Sequence, residues 1–221
     1  MSAYSCYTGL MNIDFGYILI VISVILVSMT FHEAMHAFTS YWLGDDTARL
    51  MGRLSLNPIK HIDPFLTILL PIMLAISHAP IFGGAKPVPF NPNNVRGGEW
   101  GVALVSIAGP LTNLFLAFTV FGVWALFGTP SDGLVGQIFV TAVSVNLGFF
   151  VFNLIPIPPL DGSRVLYAFA PDFVRRGMVA VERFGIIIVF GILLFAGPQF
   201  ETILVGLINF FWTVFGRIFG L

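Results

Sequence analysis

Charged residues are scarce in this 221-residue chain, and their scarcity excludes a soluble fold. They make up 10% of the sequence, whereas a soluble domain normally carries about a quarter. Hydrophobic residues make up 57%, so there are too few charges to cover a water-facing surface. The surface must therefore be covered by lipid, and the composition predicts a polytopic membrane protein.

Cysteine and excess positive charge are also missing. Cys6 is the only cysteine, which excludes an intrachain disulfide and a cysteine-based metal site. Histidine, aspartate and glutamate remain as the strong candidate metal ligands. The net charge of −1 gives no reason to expect the concentrated basic surface that nucleic-acid binding requires.

Uncharged apolar runs divide the chain into predicted spans. A run of about 17–25 residues is enough to cross the hydrocarbon core of a bilayer. We predict core spans at about 13–43, 101–127 and 134–155, followed by C-terminal helices at about 184–197 and 200–219. Whether the last of these crosses the membrane or lies flat in the interface is left open by its sequence.

Basic residues are concentrated in two loops, 45–63 and 172–183. These loops hold six of the ten lysines and arginines, whereas loop 128–133 holds none. Because cytoplasmic loops carry an excess of Lys and Arg, we predict that both basic loops are cytoplasmic. This arrangement requires that segment 65–81 does not cross the membrane completely, so we predict a re-entrant element there.

The stretch Lys86–Pro92 has a proline at every second or third position. This spacing excludes a helix and a central strand. It suits an edge strand or an extended hairpin, and an ordinary surface turn is an equally good alternative. We predict a re-entrant and β segment over about 65–92. The predicted fold class is an all-α polytopic membrane protein: a helical transmembrane bundle of about four to six spans, with a re-entrant loop and a small β-hairpin, forming a single domain over 1–221.

Three ionisable residues lie near the end of the first apolar run. Glu33 is the only formal charge between Asp14 and Asp45, and it lies between His32 and His36. Residues four apart share one face of a helix, so the two histidines can bind one metal ion. The spacing is that of the metalloprotease motif H-E-x-x-H, in which the glutamate acts on a water molecule at the metal. A pair of structural histidines with Glu33 bonded to one of them is the alternative, although such crowding of polar groups is costly in lipid.

Asp161 is the strongest candidate for the third ligand that a catalytic zinc site needs. It follows the third span, after prolines at 156, 158 and 159. Because the residue before a proline avoids helical geometry, the chain here is expected to be extended. Non-helical backbone at membrane depth is tolerated only where it is buried in protein or lines a wet cavity. The alternatives for Asp161 are a cap for a helix beginning at Gly162 and an ion pair with Arg164.

Three motifs follow one another along the chain: His32-Glu33-Ala34-Met35-His36, Gly109-Pro110-Leu111-Thr112-Asn113, and Asn153 through Asp161-Gly162. In this order they resemble the H-E-x-x-H, G-P-x-x-N and N-x-x-P-x-x-P-x-D-G motifs of the site-2 protease family of intramembrane zinc metalloproteases, peptidase family M50. The three motifs cover the first three core spans, more than half of the chain. No segment has the length or polarity of the PDZ or CBS domain that the family often carries, so the chain resembles a short form.

The resemblance implies one Zn²⁺ per chain, with His32, His36 and Asp161 as its ligands and Glu33 as the general base. It also implies that Asn153 lies near the metal, where its amide can bond the carbonyl oxygen as negative charge develops. For Asn113, which lies in the second motif, we predict interhelical hydrogen bonding beside close packing at Gly109.

The predicted function is that of an intramembrane zinc endopeptidase, which hydrolyses peptide bonds within or next to transmembrane segments in regulated intramembrane proteolysis. The expected partners are a transmembrane protein or peptide substrate and the lipid bilayer, and no nucleic acid. The expected location is the cell membrane, with the active site opening to the cytoplasm. The alternatives are a metal-binding membrane transporter and a catalytically idle scaffold for membrane segments. Transporters usually contain internal repeats, and the histidine pair has no second copy.

Overall fold

The structure is a computed structural model that describes residues 15–76, 83–129, 132–185, 187–189, 191 and 197–221. All regular secondary structure within these residues is helical. The α-helices whose bounds lie in the described residues are α1 (Phe15–Trp42), α2 (Thr47–Leu50), α3 (Leu70–Ile76), α4 (Gly98–Leu126), α5 (Gly133–Asn153), α6 (Asp161–Phe169), α7 (Asp172–Glu182) and α8 (Gly197–Phe219).

Four of these helices, α1, α4, α5 and α8, are long and apolar enough to cross a membrane. The number agrees with the predicted four to six spans, and the chain is a multi-pass membrane protein. The bounds of α1, α4 and α5 lie close to the predicted core spans. Half of the predicted helix at 184–197 lies outside the described residues, and the single domain over 1–221 stays a prediction.

The segment from Pro64 combines a π-helical turn, Pro64–Leu69, with the short helix α3. Its apolar helical stretch Pro64–Leu74 is shorter than the about 17–25 residues that a span requires. The described part of this segment is therefore too short to cross a bilayer by itself. Its dipping into the membrane stays a prediction, and residues 77–82 lie outside the described residues.

The predicted β-hairpin is absent from the described residues, which contain no strand. The stretch 83–91 is irregular because its prolines have no N–H to donate to a ladder. Three of its other N–H groups bond single atoms of different segments rather than one neighbouring strand. These bonds join Lys86 N to His61 O (3.0 Å), Val88 N to Glu33 Oε2 (2.7 Å) and Asn91 N to Asp45 Oδ2 (2.8 Å).

The core of the fold lies between α1, α4, α5 and α8. Lipid is as apolar as a leucine side chain, so helices in a membrane associate through close packing and interhelical hydrogen bonds. One apolar cluster joins α4, α5 and α8 and contains Ala117, Phe121, Val143, Leu147 and Phe215. A second joins α1 to α5 and contains Val21, Ile25, Met29 and Phe149. These contacts hold α5 against α1, α4 and α8.

Asp45, which follows α1, is fully buried and connects the end of that helix to the irregular stretch. Its carboxylate accepts hydrogen bonds from Thr47, from Asn91 N at 2.8 Å and from the Asn94 side chain. Burial alone would raise the pKa of Asp45, but the bonds from Thr47, Asn91 and Asn94 outweigh burial and hold the pKa below its ordinary value. The loop that closes over the end of α1 is therefore tied to an ionised aspartate.

Candidate metal centre

His32, His36 and Asp161 come together into one group that can hold a metal ion. The two histidines lie one turn apart on α1, and their Nε2 atoms are 3.0 Å apart. Asp161 Oδ2 lies 3.2 Å from His32 Nε2 and 3.4 Å from His36 Nε2. The predicted ligands are thus three neighbours in space, although Asp161 is more than a hundred residues further along the chain.

The non-helical segment 154–160 between α5 and α6 leads the chain to Asp161 at this position. α6 starts at Asp161 itself, with Leu160 in the capping position, so the aspartate is not the helix cap that the sequence offered as an alternative. The Arg164 side chain pairs with Glu182 rather than with Asp161. Gly162 permits the tight approach of α6 to the end of α5, because a Cβ there would overlap the Leu154 carbonyl.

Both histidines are held by their Nδ1 atoms. His36 Nδ1 lies 2.7 Å from the carbonyl oxygen of Val105, and His32 Nδ1 lies 2.6 Å from Asn113 Oδ1. A carbonyl oxygen only accepts hydrogen bonds, so Nδ1 carries the proton in each ring. The lone pair of each neutral imidazole is then on Nε2, and both lone pairs point towards Asp161.

The donor set fits zinc. Two Nε2 lone pairs and a carboxylate oxygen face one another in a buried place, an arrangement that a cation stabilises. Ligand atoms about 2.0–2.1 Å from a tetrahedral zinc are about 3.3–3.4 Å apart, and the distances here are 3.0, 3.2 and 3.4 Å. Gly109 of α4 leaves room beside them, since a Cβ there would lie 2.7 Å from His32 Nε2 and closer still to His36 Nε2.

Glu33 is buried, with 7% of its surface exposed. Its Oε2 atom accepts a hydrogen bond of 2.7 Å from the backbone N–H of Val88. Val88 stands between Pro87 and Pro89, which have no N–H to offer. The proline-rich stretch therefore uses its central N–H to hold the Glu33 side chain.

Asn153 lies in the last turn of α5. Its Nδ2 donates to the carbonyl oxygen of Phe149 at 3.0 Å, which is a bond within its own helix. An asparagine amide has a second N–H. The predicted role of Asn153 at a developing oxyanion is not tested by this geometry and stays a prediction.

Three hydrogen bonds of the site were not predicted from the sequence. Asn113 does form the predicted interhelical hydrogen bonds, but one of its partners is His32 itself. Asn146 and Ser28, which complete the polar cluster, were not singled out, and neither was the bond from Val88 to Glu33. Ser28 lies four residues before His32, and Asn146 is polar within an apolar span, so both carried a signal in the sequence.

Comparisons with known proteins agree on one family. The family model for peptidase family M50 matches residues 128–197. Two relatives are named "Putative zinc metalloprotease". YwhC of Bacillus subtilis is 41% identical over 196 residues, which are 84% of this chain and 84% of YwhC. Rip2 of Mycolicibacterium smegmatis is 31% identical over 175 residues, which are 79% of this chain and 66% of Rip2. No solved structure matches the chain.

The four candidate spans and these matches define a multi-pass membrane metallopeptidase. The chain belongs to peptidase family M50, the site-2 protease family, as its three motifs indicated. It is therefore a hydrolase of the zinc metalloprotease class.

Proposed function

We propose that this metallopeptidase is an intramembrane endopeptidase, which cuts peptide bonds within or next to the transmembrane segments of its substrates. The proposal rests above all on one observation: the three donor atoms lie 3.0–3.4 Å apart. His32, His36 and Asp161 bind one zinc ion in this proposal.

The depth of the site supports cleavage within the membrane. Trp42 ends α1 and Trp100 lies near the start of α4, and both are exposed as in an interfacial aromatic belt. His32 precedes Trp42 by ten residues, which is about 15 Å along a helix that rises 1.5 Å per residue. Gly109, which faces the same nitrogens, follows Trp100 by nine residues. If these tryptophans mark the interface, both helices support a position of the donors about half a hydrocarbon core below it.

Glu33 is the general base in this proposal. Zinc at the site would supply a Lewis acid and lower the pKa of a bound water to about 7. Glu33 accepts a proton from the attacking water and returns it to the leaving nitrogen of the peptide bond. The Val88 N–H fixes the carboxylate through Oε2, and the second oxygen remains for proton transfer.

The substrate partner and the orientation are part of the proposal. Loops 45–63 and 172–183 hold six of the ten basic residues, which favours a cytoplasmic position for the end of α1 and for α7. In this arrangement the protein lies in the cell membrane and its site opens to the cytoplasmic side. A transmembrane substrate protein reaches the site through the bilayer.

The test is cleavage of a transmembrane substrate by the detergent-purified protein, with the products identified by mass spectrometry. Glu33→Gln is expected to abolish cleavage while it retains one zinc per chain. The matched control is Glu99→Gln, which changes an exposed carboxylate at the start of α4 and is expected to cleave normally. Cleavage by Glu33→Gln at the wild-type rate would contradict the assignment of the base. Zinc carried into sealed vesicles without any cleavage would identify a transporter instead.

A further inference from the structure

A chain of buried polar side chains connects His32 to α5. Ser28, Asn113 and Asn146 belong to α1, α4 and α5, and their exposed fractions are 2%, 0% and 3%. Buried amides and hydroxyls are costly unless each finds a hydrogen-bond partner. These three side chains are hydrogen-bonded to one another. The donor and acceptor of each bond can be assigned, because the network also contacts backbone carbonyl oxygens, which only accept.

The Asn146 amide has a determined orientation. Its Nδ2 lies 2.8 Å from the carbonyl oxygen of Ala142 and 2.9 Å from Ser28 Oγ. The Ala142 carbonyl only accepts, so the nitrogen must be on that side. Asn146 Oδ1 is then the atom that faces α4, and it lies 2.9 Å from Asn113 Nδ2.

The Asn113 amide is oriented by this oxygen. Its Nδ2 donates to Asn146 Oδ1 and, at 3.4 Å, to the backbone carbonyl of Ser28. Both partners only accept in this arrangement, so Asn113 presents Oδ1 to His32. His32 must therefore donate from Nδ1, and the lone pair on its Nε2 is directed to the metal centre.

His32 and His36 differ in how this tautomer is secured. A backbone carbonyl, that of Val105, faces His36 Nδ1 at 2.7 Å, and no amide rotation can replace it by a donor. The Asn113 amide that faces His32 exposes a nitrogen instead if it turns over. Asn146 Oδ1, at 2.9 Å, is the nearer of the two oxygens that oppose this rotation, and the Ser28 carbonyl at 3.4 Å is the other, because each would then face the Asn113 oxygen.

We propose that Asn146 and Asn113 are positioning residues for the metal centre: Asn146 orients the Asn113 amide, which holds His32 in the tautomer that binds zinc through Nε2. The inference rests on the zinc site of the proposed function. It adds to that site two residues that do not touch the metal, one of which lies outside the three family motifs.

The decisive measurement is the zinc dissociation constant of the purified protein, from competition with a chelating indicator. Asn146→Leu removes the oxygen that orients Asn113 and is expected to weaken zinc binding by about 10–100-fold, as is usual for partners of metal ligands. Combining it with Asn113→Leu is expected to weaken binding no further than Asn113→Leu does alone, because the two act in series.

Rescue separates positioning from general packing. A carboxylate in place of the Asn113 amide accepts from His32 in either orientation, so Asn113→Asp makes His32 independent of Asn146. The double variant Asn113→Asp with Asn146→Leu is therefore expected to bind zinc within about threefold of the wild type, whereas a packing defect would be made worse by a buried charge. Unchanged zinc binding by Asn146→Leu, or a double variant that binds no tighter than Asn146→Leu, would overturn the proposal.

Thr112→Val is the control, because the Thr112 hydroxyl bonds Ala108 O within its own helix α4, and its zinc affinity is expected to be unchanged. Thermal unfolding of each metal-free variant reports whether it is folded. If Asn146→Leu does not fold, Asn113→Asp and Asn113→Leu answer the question, and equal zinc affinity of these two would overturn the proposal. Absence of zinc binding by the wild type would instead refute the proposed function itself.

Discussion

Gly109→Ala is the substitution that tests the position of the metal most directly. A Cβ at residue 109 would lie 2.7 Å from His32 Nε2, 2.6 Å from His36 Cε1 and closer still to His36 Nε2. Real Cβ atoms essentially never approach another heavy atom within 3.0 Å. The methyl group would therefore occupy the volume beside both nitrogens that a bridging cation needs.

The size of the effect follows from these distances. His32 Nε2 would have to retreat by about 0.3 Å and His36 by more, whereas a metal site tolerates ligand distances only within about 0.2 Å of their ideal values. Overpacking of this kind typically costs about 1–3 kcal/mol, and displacement of the metal adds to it. We expect the zinc affinity of Gly109→Ala to fall by at least about 100-fold, beyond the usual upper effect of residues that do not touch the metal.

The assay is zinc content after dialysis together with the dissociation constant from chelator competition. Gly148→Ala is the matched control, because its Cβ on α5 would meet only Ile208 Cδ1, at an ordinary 4.0 Å. Both changes raise helix propensity by about 1 kcal/mol, so a difference between them reports the site. Equal zinc affinity of the two variants would refute the reasoning, because it would show that the metal does not bind beside Gly109 of α4.

Three further predictions concern the other parts of the site. Asp161→Ala is expected to lose bound zinc, because only two imidazole ligands remain. Full zinc occupancy in this variant would show that another residue is the third ligand. Val88→Pro removes the N–H that holds Glu33 and is expected to lower kcat by about tenfold, the effect of one hydrogen bond to a charged group, while zinc is retained. Val88→Ala keeps the N–H and should cleave normally. Equal cleavage rates of the two variants would exclude this role of the Val88 N–H. Asp45 has a lowered pKa, so its contribution to stability is present above its unfolded pKa of about 3.9 and is lost as the pH falls through the folded value. Thermal unfolding should therefore find Asp45→Asn less stable than the wild type at pH 7 and approaching it in acid, and a pH-independent difference would contradict the assignment.

The lipid-facing fold could be predicted from the sequence because its signals are local. A run without charges predicts a span wherever it occurs, and α1, α4, α5 and α8 lie close to such runs. The predicted β-hairpin has no strand among the described residues, for a related reason. The prolines at 87 and 89 correctly excluded a helix, but a strand also needs a partner, and the local pattern cannot supply one.

The candidate ligands could be named from their motifs, since His32 and His36 share a helix face by spacing alone. The bond from Val88 to Glu33 could not be predicted in this way. It joins residues 55 positions apart, and it exists because the irregular stretch passes beside α1 at Glu33 with one N–H between two prolines.

By itself, the sequence determined the membrane environment, the family and the chemical types of the donors, because each follows from composition or from short spacing. Only the tertiary structure decided which atoms of those donors face one another. The Nδ1 bonds of His36 to Val105 and of His32 to Asn113 join α1 to α4, and the orientation of Asn113 depends in turn on α5. The direction of a hydrogen bond is a property of two atoms brought together by packing, and no periodicity along a single helix contains it.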